Sequence, residues 1–208
     1  VSVSDASKVA ANGAATVTGA NGVTVDGSTV ESVGDLTVTA TTGDLAANNA
    51  KLGTDGDLSL AASDAEGSVK LAGATASAEG TVGVTAGKDV TVDGTSRVWS
   101  KGNATVGAGN DVTVNGVVKA GDFPDTVTSA DEVTDSSTLG VTAGRKLTVE
   151  GGKVASSGAL TLAATDGDLA VKGGTVATAG ALEATASGSG AVSVSDASKV
   201  AANGAATV

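Results

Sequence analysis

The chain has 208 residues, a formal net charge of -11 and 1% aromatic residues; it holds 31 glycines, one Trp, one Phe, one Pro and no His, Cys, Met or Tyr. That inventory excludes a Ser-His-Asp triad, a thiolate nucleophile, a disulfide and a His/Cys zinc site, and the acidity opposes binding to nucleic acid or to an anionic membrane surface. A core without bulky rings must also be narrow, because aromatic side chains are what fill wide ones.

No apolar run approaches the roughly 20 residues of a membrane-spanning helix. No basic-then-apolar leader opens the sequence, and the start at Val1 in mid-pattern reads as a piece of something longer. From Val1 an alternation begins that returns down the whole chain. Its apolar pairs are Val1/Val3, Val23/Val25, Leu45/Ala47, Val69/Leu71, Val90/Val92, Val112/Val114, Leu147/Val149, Leu169/Val171 and Val192/Val194. Seventeen of these 18 residues are Val or Leu, whereas the residues between them (Ser2, Thr24, Ala46, Lys70, Thr91, Thr113, Thr148, Ala170, Ser193) never are. A second alternating segment follows in each unit: DLTV at Asp35, DLSL at Asp57, TVGV at Thr81, NATV at Asn103, TLGV at Thr138, ALTL at Ala159 and ALEA at Ala181. Between the two lies a third short element that closes on a glycine, as at Gly13, Gly34, Gly56, Gly102, Gly158 and Gly180.

Period-two alternation is the mark of strands, and Gly, Asp and Asn supply the turns between them. From Gly22 onward the units recur after 22, 24, 21, 22, 35, 22 and 23 residues. Such a step predicts an all-β fold: a right-handed parallel β-helix (solenoid) with three short strands per coil of about 22 residues and about nine coils. Coils stacked about 4.8 Å apart give a rod roughly 40 Å long. Residues 1–208 are expected to form a single uncapped shaft fragment. Its terminal coils would expose strand edges and promote end-to-end self-association. Residues 1–17 recur unchanged at 192–208. That offset of eight coils reads either as a nested array or as a segment closed on one full period.

Several residues stand out from the repeat. Counting five back from each closing glycine gives Lys8, Thr29, Lys51, Thr75, Arg97, Gly116, Lys153, Thr175 and Lys199, so alternate coils carry a cation. Skipping a coil holds like charges about 9.6 Å apart rather than 4.8 Å, which limits self-repulsion. The other reading is a strip for sulfated glycans. Trp99 follows inward Val98 and should face outward, where with Arg97, Lys51 and Lys153 it is a candidate contact for a glycan or receptor. Residues 122–137 interrupt the repeat as an inserted acidic loop with five carboxylates. Phe123 and Pro124 at its start are expected to fold back on Trp99 and anchor it. Asp35, Asp44, Asp57, Asp89, Asp111 and Asp168, which start strands, are expected to accept turn N–H groups. The turns are otherwise minimal, so no walled cleft, catalytic residue, metal or cofactor is expected. The outward Thr rows are too broken to order ice.

The runs AGKDVTVDG from Ala86, AGNDVTVNG from Ala108 and AGRKLTVEG from Ala143 resemble the haemagglutinin-type repeats of the filamentous-haemagglutinin-like adhesins exported by two-partner secretion. The resemblance covers almost the whole chain apart from residues 122–137. It implies a non-enzymatic shaft segment of a large bacterial adhesin, secreted to the cell surface through an outer-membrane transporter partner. The parent protein would contact host-cell receptors or glycans and act in virulence. The passenger β-helix of an autotransporter is the alternative. The asparagine-rich secretion signals of the family and an Arg-Gly-Asp tripeptide are absent from these residues.

Overall fold

Alternating Val and Leu bury one side of each strand, and a corner residue every few positions lets the chain turn before the next strand begins. The computed structural model describes residues 1–122 and 135–208. Among these residues the strands assemble into three parallel sheets of nine strands each, with no helix. Each coil contributes one strand to each sheet. The order in every sheet is the order of the coils, so the chain winds without a skipped or exchanged strand. Equivalent residues lie against one another as the repeat requires: Val90 is registered with Val69 on one side and Val112 on the other. This is the nine-coil, three-sided β-solenoid expected from the step length.

The interior is a stack of aliphatic rows. Val25, Leu71, Val92, Val114, Leu147 and Val149 of the first sheet are fully buried. Leu36, Val38, Leu60, Val84 and Val141 of the third sheet face them in the same way. In the first and last coils, covered from one side only, Val1 and Val194 are 58% and 52% exposed. Burying one such side chain contributes about 1.5–3 kcal/mol, and because each lies above its equivalent, the contribution repeats coil by coil.

The second sheet departs from the all-aliphatic rule. Its inner positions alternate between an apolar residue (Val30, Leu52, Val98, Val154, Val176) and a row that includes Ser32, Thr54, Ser100, Ser156 and Thr178, all buried. The serine hydroxyls are satisfied by the turn that follows, and Thr54 and Thr178 donate to the carbonyls of Gly34 and Gly158 in the preceding coil. Ser32, Ser100 and Ser156 donate to the carbonyls of Gly34, Gly102 and Gly158 at 2.7, 2.8 and 2.9 Å. Ser156 and Thr178 also bond to each other across coils at 3.0 Å. A buried hydroxyl without a partner would be costly; here each one closes a corner.

Two further ladders hold the corners. The strand-starting aspartates accept backbone N–H groups, but from the next coil rather than from their own turn. Asp35 accepts from Asp57 N at 2.9 Å, Asp57 from Thr81 N at 2.7 Å, and Asp44 from Ser68 N at 2.9 Å. Asp89, Asp111 and Asp168 accept from Asp111 N, Lys146 N and Ala191 N. In the turn from the third sheet to the next first-sheet strand, which Asp89 and Asp111 also occupy, Gly87, Gly109 and Gly144 stack so closely that a Cβ on Gly109 would stand 2.0 Å from the carbonyl oxygen of Gly87, and one on Gly144 1.8 Å from that of Gly109. The Gly of the repeated phrase is therefore a packing requirement.

One count made from the sequence is corrected by the register. Arg97 is paired with Val117, and Val117 with Lys153, so Val117 and not Gly116 is the seat of that coil in the cation row. The closing glycine of this coil, Gly121, stands one residue early: Ala120 is registered with Ser100, which puts Gly121 at the level of Lys101 and not of Gly102. The expected anchoring of Phe123 and Pro124 on Trp99 falls outside the described residues. Asp122 and Asp135, which flank residues 123–134 in the sequence, are described. Asp135 accepts from Asp122 N at 3.4 Å and from the hydroxyls of Ser137 and Ser157 at 2.9 and 3.0 Å. Desolvation raises its pKa, but those hydrogen bonds, with one from Ser136 N–H, outweigh it and hold the carboxyl below its ordinary range.

Candidate functional site

The outer face of the second sheet carries the feature most unlike the rest of the rod. Its outward row runs Ala10, Glu31, Gly53, Ser77, Trp99, Lys119, each registered against the next in consecutive coils. Strand Arg97–Ser100 places Val98 in the core and Trp99, half-buried, on the outside. Strand Lys51–Thr54 places Leu52 in the core and Gly53 at the outward position, where it too is buried. Two coils with almost no side chain thus lie between a carboxylate and an indole. The result is a groove of about 420 Å³ along the rod axis. Gly53 and Ser77 form its floor beside Glu31 and Lys51, Trp99 stands at one end and Ala10, Ala11 and Asn12 of the first coil at the other, and Val33, Asp55 and Glu79 of the adjoining turns make its rim.

The charged groups are arranged in pairs across coils. Glu31 receives Lys51 Nζ at 2.7 Å and Lys8 Nζ at 3.0 Å. Hydrogen bonds from Lys51 and then Lys8 lower its pKa from the ordinary value. Glu79 on the rim is met by Lys101 at 3.3 Å. The alternation of cations along the row therefore has a local partner as well as a spacing: Lys8 and Lys51 stand one coil to either side of Glu31 and share it. Gly53 is buried among its neighbours' side chains. A Cβ there would meet Ser77 Oγ at 3.5 Å and the Glu31 and Lys51 side chains at 3.9 Å, ordinary contact distances.

Of the residues singled out from the sequence, Trp99 and Lys51 come together in this groove. Arg97 is exposed and registered between Thr75 and Val117, and Lys153 lies between Val117 and Thr175; neither lines it. Glu31, Gly53, Asp55, Ser77 and Glu79 were not singled out. The signal for them was present: once the 22-residue register is drawn, a glycine and a serine fall directly between Glu31 and Trp99 on the outward row.

Comparison with known proteins adds no relative: no protein-family model, no curated protein and no solved structure matches the chain.

Proposed function

We propose that this chain is a shaft segment of a large secreted bacterial surface adhesin of the filamentous-haemagglutinin-like kind, acting as a stiff spacer that holds a binding region away from the cell. The observation that carries the reading is the stack: among the described residues, nine coils in parallel register over an aliphatic column. Such a column resists bending because every backbone ladder runs its full length. It suits export through an outer-membrane transporter because each coil packs mainly on its neighbour and can fold as it emerges. The AGKDVTVDG-type phrases supply the likeness to that family. No catalytic step is part of this reading, and contact with host receptors or glycans would belong to the parent protein as a whole.

The test is a secretion assay. The 208 residues are placed behind a two-partner secretion domain and expressed with its transporter. The native segment should reach the medium folded and protease-resistant. A version with each coil's residues shuffled, composition unchanged, should stall or be degraded; equal export of the shuffled version would remove the proposal.

A further inference from the structure

We infer that Asn21 is a modification site: its side-chain amide closes on the N–H of Gly22, releases ammonia and leaves isoaspartate in the turn between strands Ala15–Gly19 and Val23–Asp26. The ladder between coils decides which Asn-Gly pairs of the chain react in this way. The inference does not rest on the spacer reading: a rod that is exported but keeps Asn21 intact fails only here.

The chain has four Asn-Gly pairs: Asn12-Gly13, Asn21-Gly22, Asn115-Gly116 and Asn203-Gly204. In this dipeptide the glycine nitrogen can give up its proton and attack the asparagine Cγ with no Cβ in the way. The N–Cγ bond forms, and Nδ2 leaves as ammonia, taking up the proton that the glycine lost. A succinimide ring remains, and water adds to one of its two carbonyls. Opening at the main-chain carbonyl carries the backbone through Cβ as isoaspartate; opening at Cγ gives aspartate. Either product has a negative charge that asparagine lacked, and no reactant besides water is consumed.

A glycine N–H already held by an acceptor is not available for this attack. Gly116 N donates to Val92 O at 3.2 Å, Asn115 N donates to the same carbonyl at 2.8 Å, and Gly116 is buried. Asn115 Oδ1 is enclosed as well. Gly204 N donates to Gly180 O at 3.0 Å. Gly22 N, by contrast, has no acceptor among the described residues. At its place in later coils the N–H is met by an aspartate of the coil before: Ser68 by Asp44, Asp111 by Asp89 and Lys146 by Asp111. No such carboxylate stands opposite Gly22. Where the opening sequence recurs at 192–208, the residue ahead of it is Ala191, whose side chain has no acceptor either. Asn21 is exposed, and Gly22 has φ +123°, a backbone form that glycine adopts freely. Thr42 Oγ1 donates to Asn21 Oδ1 at 3.4 Å, which draws electron density from the carbon under attack. Gly13 N also lacks an acceptor among the described residues, so Asn12 reacts too. Asn12 and Asn203 stand in identical sequences, residues 1–17 and 192–208, so a difference between them reports the hydrogen bond and not the sequence.

The test is a timed peptide map. Purified 208-residue protein is held in mildly alkaline buffer at body temperature, digested with trypsin and analysed by electron-transfer mass spectrometry, which distinguishes isoaspartate from aspartate; isoelectric focusing follows the added charge independently. Asn21 should convert, with isoaspartate in excess. Asn115 should lag behind Asn21 about tenfold or more, because its turn must first open. Asn203 should lag severalfold behind Asn12 for the same reason. In concentrated urea, where no ladder remains, the four rates should converge. Asn21→Gln, at an exposed position, should remove the product at residue 21 and its acidic band, with far-UV circular dichroism establishing that the variant is folded. The inference is overturned if Asn21 stays intact in the folded protein while the urea-unfolded chain reacts. It is overturned equally if folded Asn115 converts as fast as Asn21, if Asn203 keeps pace with Asn12, or if the differences persist in urea, which would assign them to sequence.

Discussion

Asp93 shows how single residues secure the corners of this rod. It accepts from Ser96 Oγ at 2.6 Å, from Gly73 N at 3.1 Å in the preceding coil, and from both the N–H and the hydroxyl of Thr95 at 3.0 Å. The hydrogen bond from Ser96 is foremost in holding its pKa down, from 3.8 to about 2. A carboxylate whose folded pKa lies below its unfolded one contributes stability that is present above the unfolded value and lost as pH falls through the folded one. The urea midpoint should therefore hold down to about pH 4 and decline between there and about pH 2. Asp57, lowered by its hydrogen bonds from Thr81, acts in the same direction, as do Glu31 and Asp135. Asp93→Asn keeps an acceptor but removes the titration, and its decline over that window should be measurably shallower. An unchanged slope would show that the hydrogen bonds at this corner do not set the acid limit.

At the scale of the element, glycines of similar appearance have opposite roles, and a pair of substitutions separates them. Gly109 lies in the stacked corner, with no space for a Cβ beside the Gly87 carbonyl. Gly107, two residues earlier on strand Ala104–Ala108, has nothing within 4 Å of the position a Cβ would take. Gly109→Ala should destabilise by about 1–3 kcal/mol, because overpacking forces backbone shifts. Gly107→Ala should be neutral or gain up to about 1 kcal/mol, since Ala limits the unfolded chain more than Gly does. Denaturant melts of the two variants check this, and equal effects would contradict the close stacking of the corners. This difference was only partly legible in the sequence. The first and third sheets could be read directly, because Val and Leu recur at period two and nothing else competes for the inner side. The second sheet could not, because its inner Ser and Thr are buried by bonding to turn carbonyls, which hydropathy cannot anticipate. Trp99 was placed outward correctly by its neighbour Val98. The groove it closes was missed, because the small residues that make it are informative only by what they leave empty. The register slip at Gly116 has the same origin: a closing glycine was used as a marker where the chain was already leaving the coil.

For the whole molecule, the governing fact is that packing is between successive coils. Leu71 is fully buried and registered between Ala47 of the coil before and Val92 of the coil after, and almost every backbone bond outside a turn joins residues one coil apart. A compact domain spreads the loss of a core side chain over its entire structure, since it unfolds as one unit. A stack with nearest-neighbour coupling need not do so, because its stability is a sum of coil terms and interface terms. Leu71→Ala should cost about 2–5 kcal/mol at its own site. In native-state hydrogen exchange of the 208-residue polypeptide, that loss should appear at strands Leu45–Asn48, Val69–Ala72 and Val90–Val92 and fade toward Leu169–Lys172. The terminal strands Ser2–Val3 and Ala206–Thr207 should exchange fastest in wild type and variant alike, being paired on one side only. A uniform fall in protection from one end of the chain to the other would mean that the nine coils behave as a single cooperative body. Local folding during export would then lose its physical basis, because no coil could become stable until all had arrived.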